Sequence, residues 1–245
     1  ELVDALYSST PGGITARFTD VWNGEARPYL TPVIDSLRTR WDLAARPLSD
    51  EANFRAFIAL DSGFNEEDWP AFRWNRTATL VEMDEVLKRY LRNRQHPLAD
   101  YNTLTAMTVL ERAESGRVQK LRVDTDMGSF ELIKDESVKA LVPPRSLLFY
   151  VEPIMTVPEE AEADEAESLP SAPTESNAAP VPGTEEKTTP KTAEDIIDSV
   201  TGGRNNKTNT KQNAEPVLTG FRFVGGGFGH GVGMSQTGAY NLGEQ

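Results

Sequence analysis

The sequence predicts an α+β fold of mainly antiparallel β-hairpins with a few short helices, interrupted by a disordered acidic insertion. Three observations lead to this prediction. Short runs that alternate apolar and polar residues are joined by glycine-containing turns, as in hairpins. One capped segment has the apolar spacing of an amphipathic helix. A long acidic, proline-rich stretch without aromatic residues separates residues 1–152 from residues 216–245.

The composition limits the class of protein. The chain has 245 residues, of which 38% are apolar, so it can bury a sizeable core. It contains no run of about 18 apolar residues that could span a membrane. It has no cysteine and only two histidines, His96 and His230, which are too few for a conventional metal site unless carboxylates complete it, and no cofactor is expected. The net charge of −13 argues against nucleic acid and anionic membrane surfaces as partners.

The first expected element is a strand over residues 2–10, which ends at a Pro-Gly-Gly turn. Three hydroxyl residues, Ser8, Ser9 and Thr10, precede that turn, and we call residues 8–13 the corner. A plain strand end is the simpler interpretation of this corner, and a polar binding site is the alternative. Two aromatic residues follow, Trp22 and Tyr29, which suit either a core or the wall of a sugar cleft.

A helix is predicted over residues 80–92. Thr79 and Glu82 have the spacing of a capping box, and the apolar residues that follow them recur with helical periodicity. The segment 47–65 has a mixed pattern in which Phe54, Phe57 and Ile58 are expected core residues.

The next segments alternate like strands. Strands are predicted over residues 104–111, 118–124, 129–133 and 146–151, with a helical turn over 137–141. Residues 153–215 then contain 13 acidic and 5 basic residues, seven prolines and no aromatic residue. Such a segment buries too little apolar surface to offset its ordering entropy, so we expect a disordered insertion. Residues 216–245 are expected to complete the domain that residues 1–152 begin.

A glycine-rich segment, residues 225–236, is the most distinctive part of the sequence. Its six glycines before Met234 leave too little side-chain volume for a helix or an ordinary strand. A flexible linker is one interpretation. The interruptions by Phe228, Val232 and Met234 favour a site where bare backbone approaches a neighbour or a polar, uncharged ligand such as a sugar. A dinucleotide-binding fingerprint is excluded because His230 stands where its third glycine would fall.

The run Gly-Gly-Phe-Gly-His-Gly-Val-Gly-Met-Ser-Gln, residues 226–236, resembles the signature of the SpoIID/LytB family, which includes stage II sporulation protein D and an amidase enhancer of the bacterial cell wall. Ser9-x-x-Gly12-Gly13-x-Thr15 resembles the same family, as do the Val-Trp-Asn-Gly and Arg-Pro-Tyr-Leu elements near Trp22 and Tyr29. The resemblance covers residues 6–152 and 221–245. It implies a SpoIID-like fold.

The resemblance also implies an activity. It is that of a lytic transglycosylase, which cleaves peptidoglycan glycan strands between N-acetylmuramic acid and N-acetylglucosamine with one catalytic glutamate. In relatives that glutamate precedes the corner, and we expect it upstream of this sequence. Glu1, Glu25 and Glu244 do not match its position, and the other acids have ordinary structural roles in this interpretation, so the catalytic residue is unknown.

The resemblance implies that the corner and the glycine-rich segment line one substrate cleft. Substrate-binding or cleft-shaping roles fall to Ser9, Thr10, Gly12, Gly13, Gly227, His230, Gly231, Gly233, Met234, Ser235 and Gln236. Some relatives bind zinc at the corner through His and Cys. Tyr7 and the three hydroxyl residues stand there instead, so no metal is expected. His230 is either a general base or a residue that holds backbone, and Ser235 is a weak candidate for a nucleophile.

Three functions remain open. The first is a SpoIID-type lytic transglycosylase, exported to the cell envelope, whose partner is the glycan strand. The second is a non-catalytic peptidoglycan-binding module or amidase enhancer, whose further partner is a cell-wall amidase. The third is a scaffold whose acidic insertion binds a partner.

Overall fold

The computed structural model describes residues 5–157 and 215–244, which form an α+β arrangement of a few helices and several antiparallel strands. In chain order the elements are β1 (Tyr7–Ser8), α1 (Phe18–Val21), α2 (Glu51–Ile58), β2 (Arg73–Thr79), α3 (Leu80–Asn93), β3 (Leu104–Arg112), β4 (Val118–Thr125), β5 (Gly128–Ile133), α4 (Glu136–Lys139), β6 (Phe149–Thr156), β7 (Val217–Gly226), β8 (Met234–Ser235) and α5 (Gln236–Gly243).

Helix α3 confirms the predicted helix and its cap. The Thr79 hydroxyl accepts a hydrogen bond from the Glu82 backbone, and the Glu82 carboxylate accepts one from the Thr79 N–H at 2.8 Å. The predicted apolar face is buried through Met83, Leu87 and their neighbours one turn on. Local capping and periodicity therefore suffice to predict this element.

The predicted hairpins are confirmed as an antiparallel sheet in the order β3-β4-β5. Three residues of β4, Val118, Leu121 and Val123, are fully buried. They pack with α3 and with the second sheet in the largest apolar cluster of the described residues.

The second sheet has the order β2-β7-β6, so β7, from the C-terminal part of the chain, lies between two earlier strands. Two boundaries differ from expectation. The predicted strand at 146–151 begins only at Phe149, and it continues through Thr156, so residues 153–156 belong to β6 rather than to an insertion. Pro153 is tolerated there because β6 is an edge strand. The remainder of the predicted disordered insertion, residues 158–214, lies outside the described residues.

Three further differences concern the ends of the chain and the mixed segment. The predicted strand over residues 2–10 is reduced to β1, and its first residues lie outside the described part. Strand β7 includes Gly225 and Gly226, although the sequence does not predict a strand there. A Cβ on Gly225 would lie 2.6 Å from the Trp74 ring. Glycine therefore allows that ring to pack on the strand. Helix α2 was missed although Asp50 caps it by accepting from the Asn53 N–H at 2.9 Å.

Candidate functional site

The structure brings the corner and the glycine-rich segment together. Strands β1 and β8 pair in parallel, with Tyr7 opposite Met234 and Ser8 opposite Ser235. Farther along, the Phe228 N–H donates to the Thr10 carbonyl at 2.7 Å. The Ser8 hydroxyl also accepts from the buried N–H of Gly231 at 2.8 Å. Two segments more than 200 residues apart in sequence therefore form one unit.

Glycines in this unit allow backbones to approach each other. A Cβ on Gly233 would lie 2.0 Å from the Leu6 carbonyl oxygen, and a Cβ on Gly12 would lie 2.8 Å from the Gly227 nitrogen. Both Gly12 and Gly233 also have positive φ. Gly229 differs, because a Cβ there would meet nothing within 4 Å. Most of the glycine signature thus serves internal packing, and its backbone is open at Gly229.

A buried carboxylate, Glu66, fastens the two segments. One carboxylate oxygen accepts from the Gly12 N–H at 2.8 Å and from the Gly13 N–H at 3.0 Å. The other oxygen accepts from the Ser235 hydroxyl at 2.5 Å. The Glu66 side chain has no exposed surface. Sequence reasoning gave the acids of this chain ordinary structural roles and missed that this one lies at the centre of the site.

The environment of Glu66 raises its pKa to about 7. Burial is the largest cause, because it disfavours the charged carboxylate, and the nearby charge of Asp35 acts in the same direction. The hydrogen bonds from Ser235, Gly13 and Gly12 oppose the shift because they stabilise the charged form. Glu66 therefore changes charge near neutral pH while remaining enclosed.

A second buried charge, Arg117, ties the same two segments together. Its guanidinium donates to the carbonyls of Pro11 at 3.2 Å, Ile14 at 3.0 Å and His230 at 3.3 Å. Burial lowers its pKa to about 10, and the charges of Asp20 and Glu66 oppose that shift. The guanidinium Nη1 has no hydrogen-bond partner within the described ranges. Arg117 thus links backbone carbonyls of both segments from a buried position.

Ser235 is occupied by the protein itself. Its hydroxyl donates to Glu66 and accepts from the Gly238 N–H at 2.9 Å, which makes Ser235 the N-cap of α5. Only 7% of the residue is exposed. Its position supports a role in shaping the cleft rather than in nucleophilic attack.

The other predicted site residues divide by exposure. Thr10, Gly12, Gly13, Gly227 and Gly231 are buried, Ser9, His230 and Gly233 are half-buried, and Met234 and Gln236 are exposed. Only the half-buried and exposed residues have surface with which to contact a ligand.

An open groove of about 430 Å³ lies beside the β1–β8 pair. Its rim includes the side chains of Tyr7, Tyr29 and Met234, which are 51%, 45% and 52% exposed. Leu30, Thr15 and Gly233 also line it. None of the groove-lining residues within the described ranges carries a charge. Exposed aromatic rings beside an uncharged groove suit the apolar faces of sugar rings.

Two findings concern metals and membranes. Across residues 5–157 and 215–244, no three His, Asp or Glu side chains are grouped so that they could hold a metal ion. In the same ranges, every helix is too short or too polar to cross a bilayer.

One family model matches the chain. It is described as Domain of unknown function (DUF8618) and matches residues 16–164, more than half of the sequence. The match includes Trp22, Tyr29, Glu66 and Arg117 but neither the corner nor the glycine-rich segment. No curated protein matches the chain.

Proposed function

Because the chain belongs to the DUF8618 family, whose description names no activity, we propose its function from the site: it forms the glycan-binding cleft of a SpoIID-type lytic transglycosylase that acts on peptidoglycan in the cell envelope. The observation that supports this proposal is the fastening of the glycine-rich segment along the corner, beside an open groove with exposed aromatic side chains. The same two sequence segments carry the resemblance to the SpoIID/LytB family.

The chemistry of the groove fits a glycan strand. Sugar rings present C–H faces that stack on aromatic side chains, and Tyr7 and Tyr29 expose such rings at the rim. An uncharged lining avoids the cost of burying an unpaired charge against a neutral polymer. The open shape of the groove also matches a long strand better than a small, enclosed ligand.

Cleavage requires an acid that reaches the glycosidic oxygen. Glu66 has the raised pKa of such an acid, but it is enclosed and its two oxygens are bonded to Gly12, Gly13 and Ser235. We therefore assign Glu66 to positioning the cleft and place the catalytic glutamate outside the described residues.

A second function has its own supporting observation. No carboxylate is present among the described residues that line the groove. A non-catalytic peptidoglycan-binding module or amidase enhancer would need none. In this alternative the cleft still binds glycan strands, and a separate cell-wall amidase performs the cleavage.

The full-length protein should be incubated with purified, peptide-free glycan strands, and the products analysed by mass spectrometry for anhydro-muramoyl ends. The proposal predicts such ends, together with binding that falls about fivefold in Tyr7→Ala and in Tyr29→Ala, since each removes one aromatic contact worth about 1 kcal/mol. Tyr240→Ala is the matched control, because Tyr240 is 60% exposed and lies outside the groove.

Three outcomes distinguish the hypotheses. Binding of glycan strands that remain uncleaved would support the non-catalytic binding module or amidase enhancer. Binding that Tyr7→Ala and Tyr240→Ala leave equally unchanged would exclude the groove as the glycan site. No binding of any strand by the wild-type protein would refute both functions.

A further inference from the structure

One asparagine of this chain is followed directly by glycine. Asn23-Gly24 is the sole Asn-Gly step in the 245 residues of the sequence. It lies in the loop after α1, and both of its residues are exposed to solvent. A glycine carries no Cβ that would shield its backbone nitrogen, so another group can approach that nitrogen closely. In this step the Asn23 side-chain amide carbon is within reach of the nitrogen, since bonding the two atoms closes a five-membered ring.

The protein leaves the reacting atoms of this step free. Within residues 5–157 and 215–244, no oxygen accepts a hydrogen bond from the Gly24 N–H, and the Asn23 NH₂ group donates to none. Other asparagines in these ranges are held, because their side-chain amides donate to protein oxygens: Asn53, Asn65, Asn102 and Asn241. Asn23 thus combines a free amide nitrogen with an accessible neighbouring backbone nitrogen.

The ammonium group of Lys134 lies beside the Asn23 amide. It donates to the Thr19 carbonyl at 2.8 Å and to Asn23 Oδ1 at 3.5 Å. The bond to Thr19 holds the ammonium in place next to the asparagine. A cation at an amide oxygen stabilises the negative charge that this oxygen acquires when a nucleophile adds to the amide carbon. One exposed loop therefore has a nucleophile, an electrophile and a donor for the oxyanion.

We propose that Asn23 is a self-modification site, where the Gly24 backbone nitrogen attacks the Asn23 side-chain amide carbon and Lys134 stabilises the resulting oxyanion. A solvent base removes the Gly24 amide proton as the nitrogen–carbon bond forms. The Asn23 amino group then takes a proton from water and leaves as ammonia, which completes a succinimide ring. Water adds to one of the two ring carbonyls and opens the ring to aspartate or isoaspartate. No oxidant or reductant takes part.

The modification changes the loop in two ways. Both products carry a carboxylate beside the Lys134 ammonium, so a contact with a neutral amide becomes an ion pair. Isoaspartate also adds one carbon to the main chain between α1 and Tyr29, whose side chain lines the groove. The reaction needs no ligand, and it is therefore independent of the proposed glycan-binding function.

Peptide mapping by mass spectrometry on the aged full chain tests the site. Replacement of the NH₂ group by a hydroxyl raises the mass of a peptide by one dalton, and isoaspartate separates from aspartate by chromatography. We expect both products at position 23, formed faster at pH 8 than at pH 6 because a solvent base removes the proton. Asn75 is the internal reference, because it is also exposed but precedes Arg76 in β2, and it should stay unmodified.

A pair of lysine variants tests the role of the ammonium group. Lys134→Met keeps most of the aliphatic side chain but removes the donor, so the reaction should slow by about fivefold, the value of about one hydrogen bond. Lys139→Met is the matched control, since Lys139 pairs with Asp135 and not with Asn23. It should react at the wild-type rate. Circular dichroism verifies that both variants are folded before their rates are compared.

Four outcomes would overturn the proposal. The first is a folded protein that stays unmodified while a synthetic peptide of residues 18–28 is converted. The second is aspartate without isoaspartate, because direct hydrolysis of the amide gives aspartate alone. The third is an equal rate in wild type and Lys134→Met. The fourth is a peptide that joins residues 23 and 134 with loss of ammonia, since the lysine would then be the nucleophile and not the donor.

Discussion

The corner and the glycine-rich segment have a buried side and an exposed side. Residues on the buried side bond to the protein itself, whereas residues on the exposed side keep free surface. On the buried side, Glu66 accepts hydrogen bonds from Ser235 and from the backbone, and Arg117 donates to backbone carbonyls. On the exposed side, His230 and Met234 have side-chain surface that the protein does not cover. The comparison shows that a motif with the residue types of a binding site can consist largely of residues that hold the fold together. Only a few of its positions are then left to contact a ligand.

The largest expected effect compares two glycines with similar backbone conformations. Gly233 has a φ of +83° and Gly229 a φ of +89°, but a Cβ on Gly233 would lie 2.0 Å from the Leu6 carbonyl oxygen, whereas one on Gly229 meets nothing. Gly233→Ala should therefore separate β1 from β8 and lower the free energy of unfolding by about 4 kcal/mol. Gly229→Ala should cost only about 1 kcal/mol, the strain of a positive φ.

Urea denaturation monitored by far-UV circular dichroism measures both changes. If the two variants lose the same unfolding free energy, then the backbone conformation, and not the close approach to Leu6, explains why residue 233 is a glycine.

The next effect is a pH dependence of stability that Glu66 causes. Its pKa is about 7 in the folded protein, against an ordinary glutamate value of 4.5 in the unfolded chain. Between these values the folded state binds the proton more tightly, so this group stabilises the fold at low pH. Its contribution falls as the pH rises from about 4.5 to about 7 and is fully lost above that, a change of about 3 kcal/mol.

Glu66→Gln isolates this contribution. Its amide oxygen can accept from Gly12 and Gly13, and its NH₂ can donate to the Ser235 oxygen, so the fastening survives without the charge. We expect the unfolding free energy of Glu66→Gln, relative to wild type, to rise by about 3 kcal/mol from pH 4.5 to pH 8. Carboxylates such as Glu82 and Glu152, whose pKa values are lowered, are present in both proteins, so their titration cancels. A constant difference across this pH range would show that Glu66 does not titrate there.

The two sides also differ in how far the sequence could predict them. Helix α3 and the β3-β4-β5 sheet follow from capping residues, periodicity and glycine turns within a few positions of each other. Glu66 belongs to none of these patterns. Its partners lie 53 to 169 residues away in sequence, and a carboxylate without local context is expected on the surface.

Within the glycine-rich segment, the sequence indicated a close approach of backbone but not its neighbour. The structure shows that the neighbour is the protein's own chain at Gly12 and Gly233. Helix α5 was missed because its cap, Ser235, was assigned to substrate binding, although a serine that starts a helix fits the same pattern. The motif does not show which of its side chains face solvent, because glycines interrupt the alternation of inward-facing and outward-facing side chains.

The smallest effect compares adjacent residues. Ser235 is buried with bonds to Glu66 and to the Gly238 N–H, whereas its neighbour Met234 is 52% exposed on the rim of the groove. Ser235→Ala removes a helix cap and leaves a buried carboxylate oxygen with one partner fewer, so it should cost about 2 kcal/mol of stability. Met234→Ala should change stability by less than about 0.5 kcal/mol, as a surface substitution does. Its loss of apolar contact should still weaken glycan binding by roughly threefold.

Thermal denaturation and calorimetric titration with glycan strands, carried out on both variants, separate the two roles. A Ser235→Ala protein that is as stable as wild type but no longer binds would assign Ser235 to the ligand, as the sequence alone suggested. A Met234→Ala protein with unchanged binding would place the strand away from the β1–β8 rim. Loss of stability in the first variant and of binding in the second would assign adjacent residues of one motif to different tasks, because side chains along a strand alternate between the interior and the solvent.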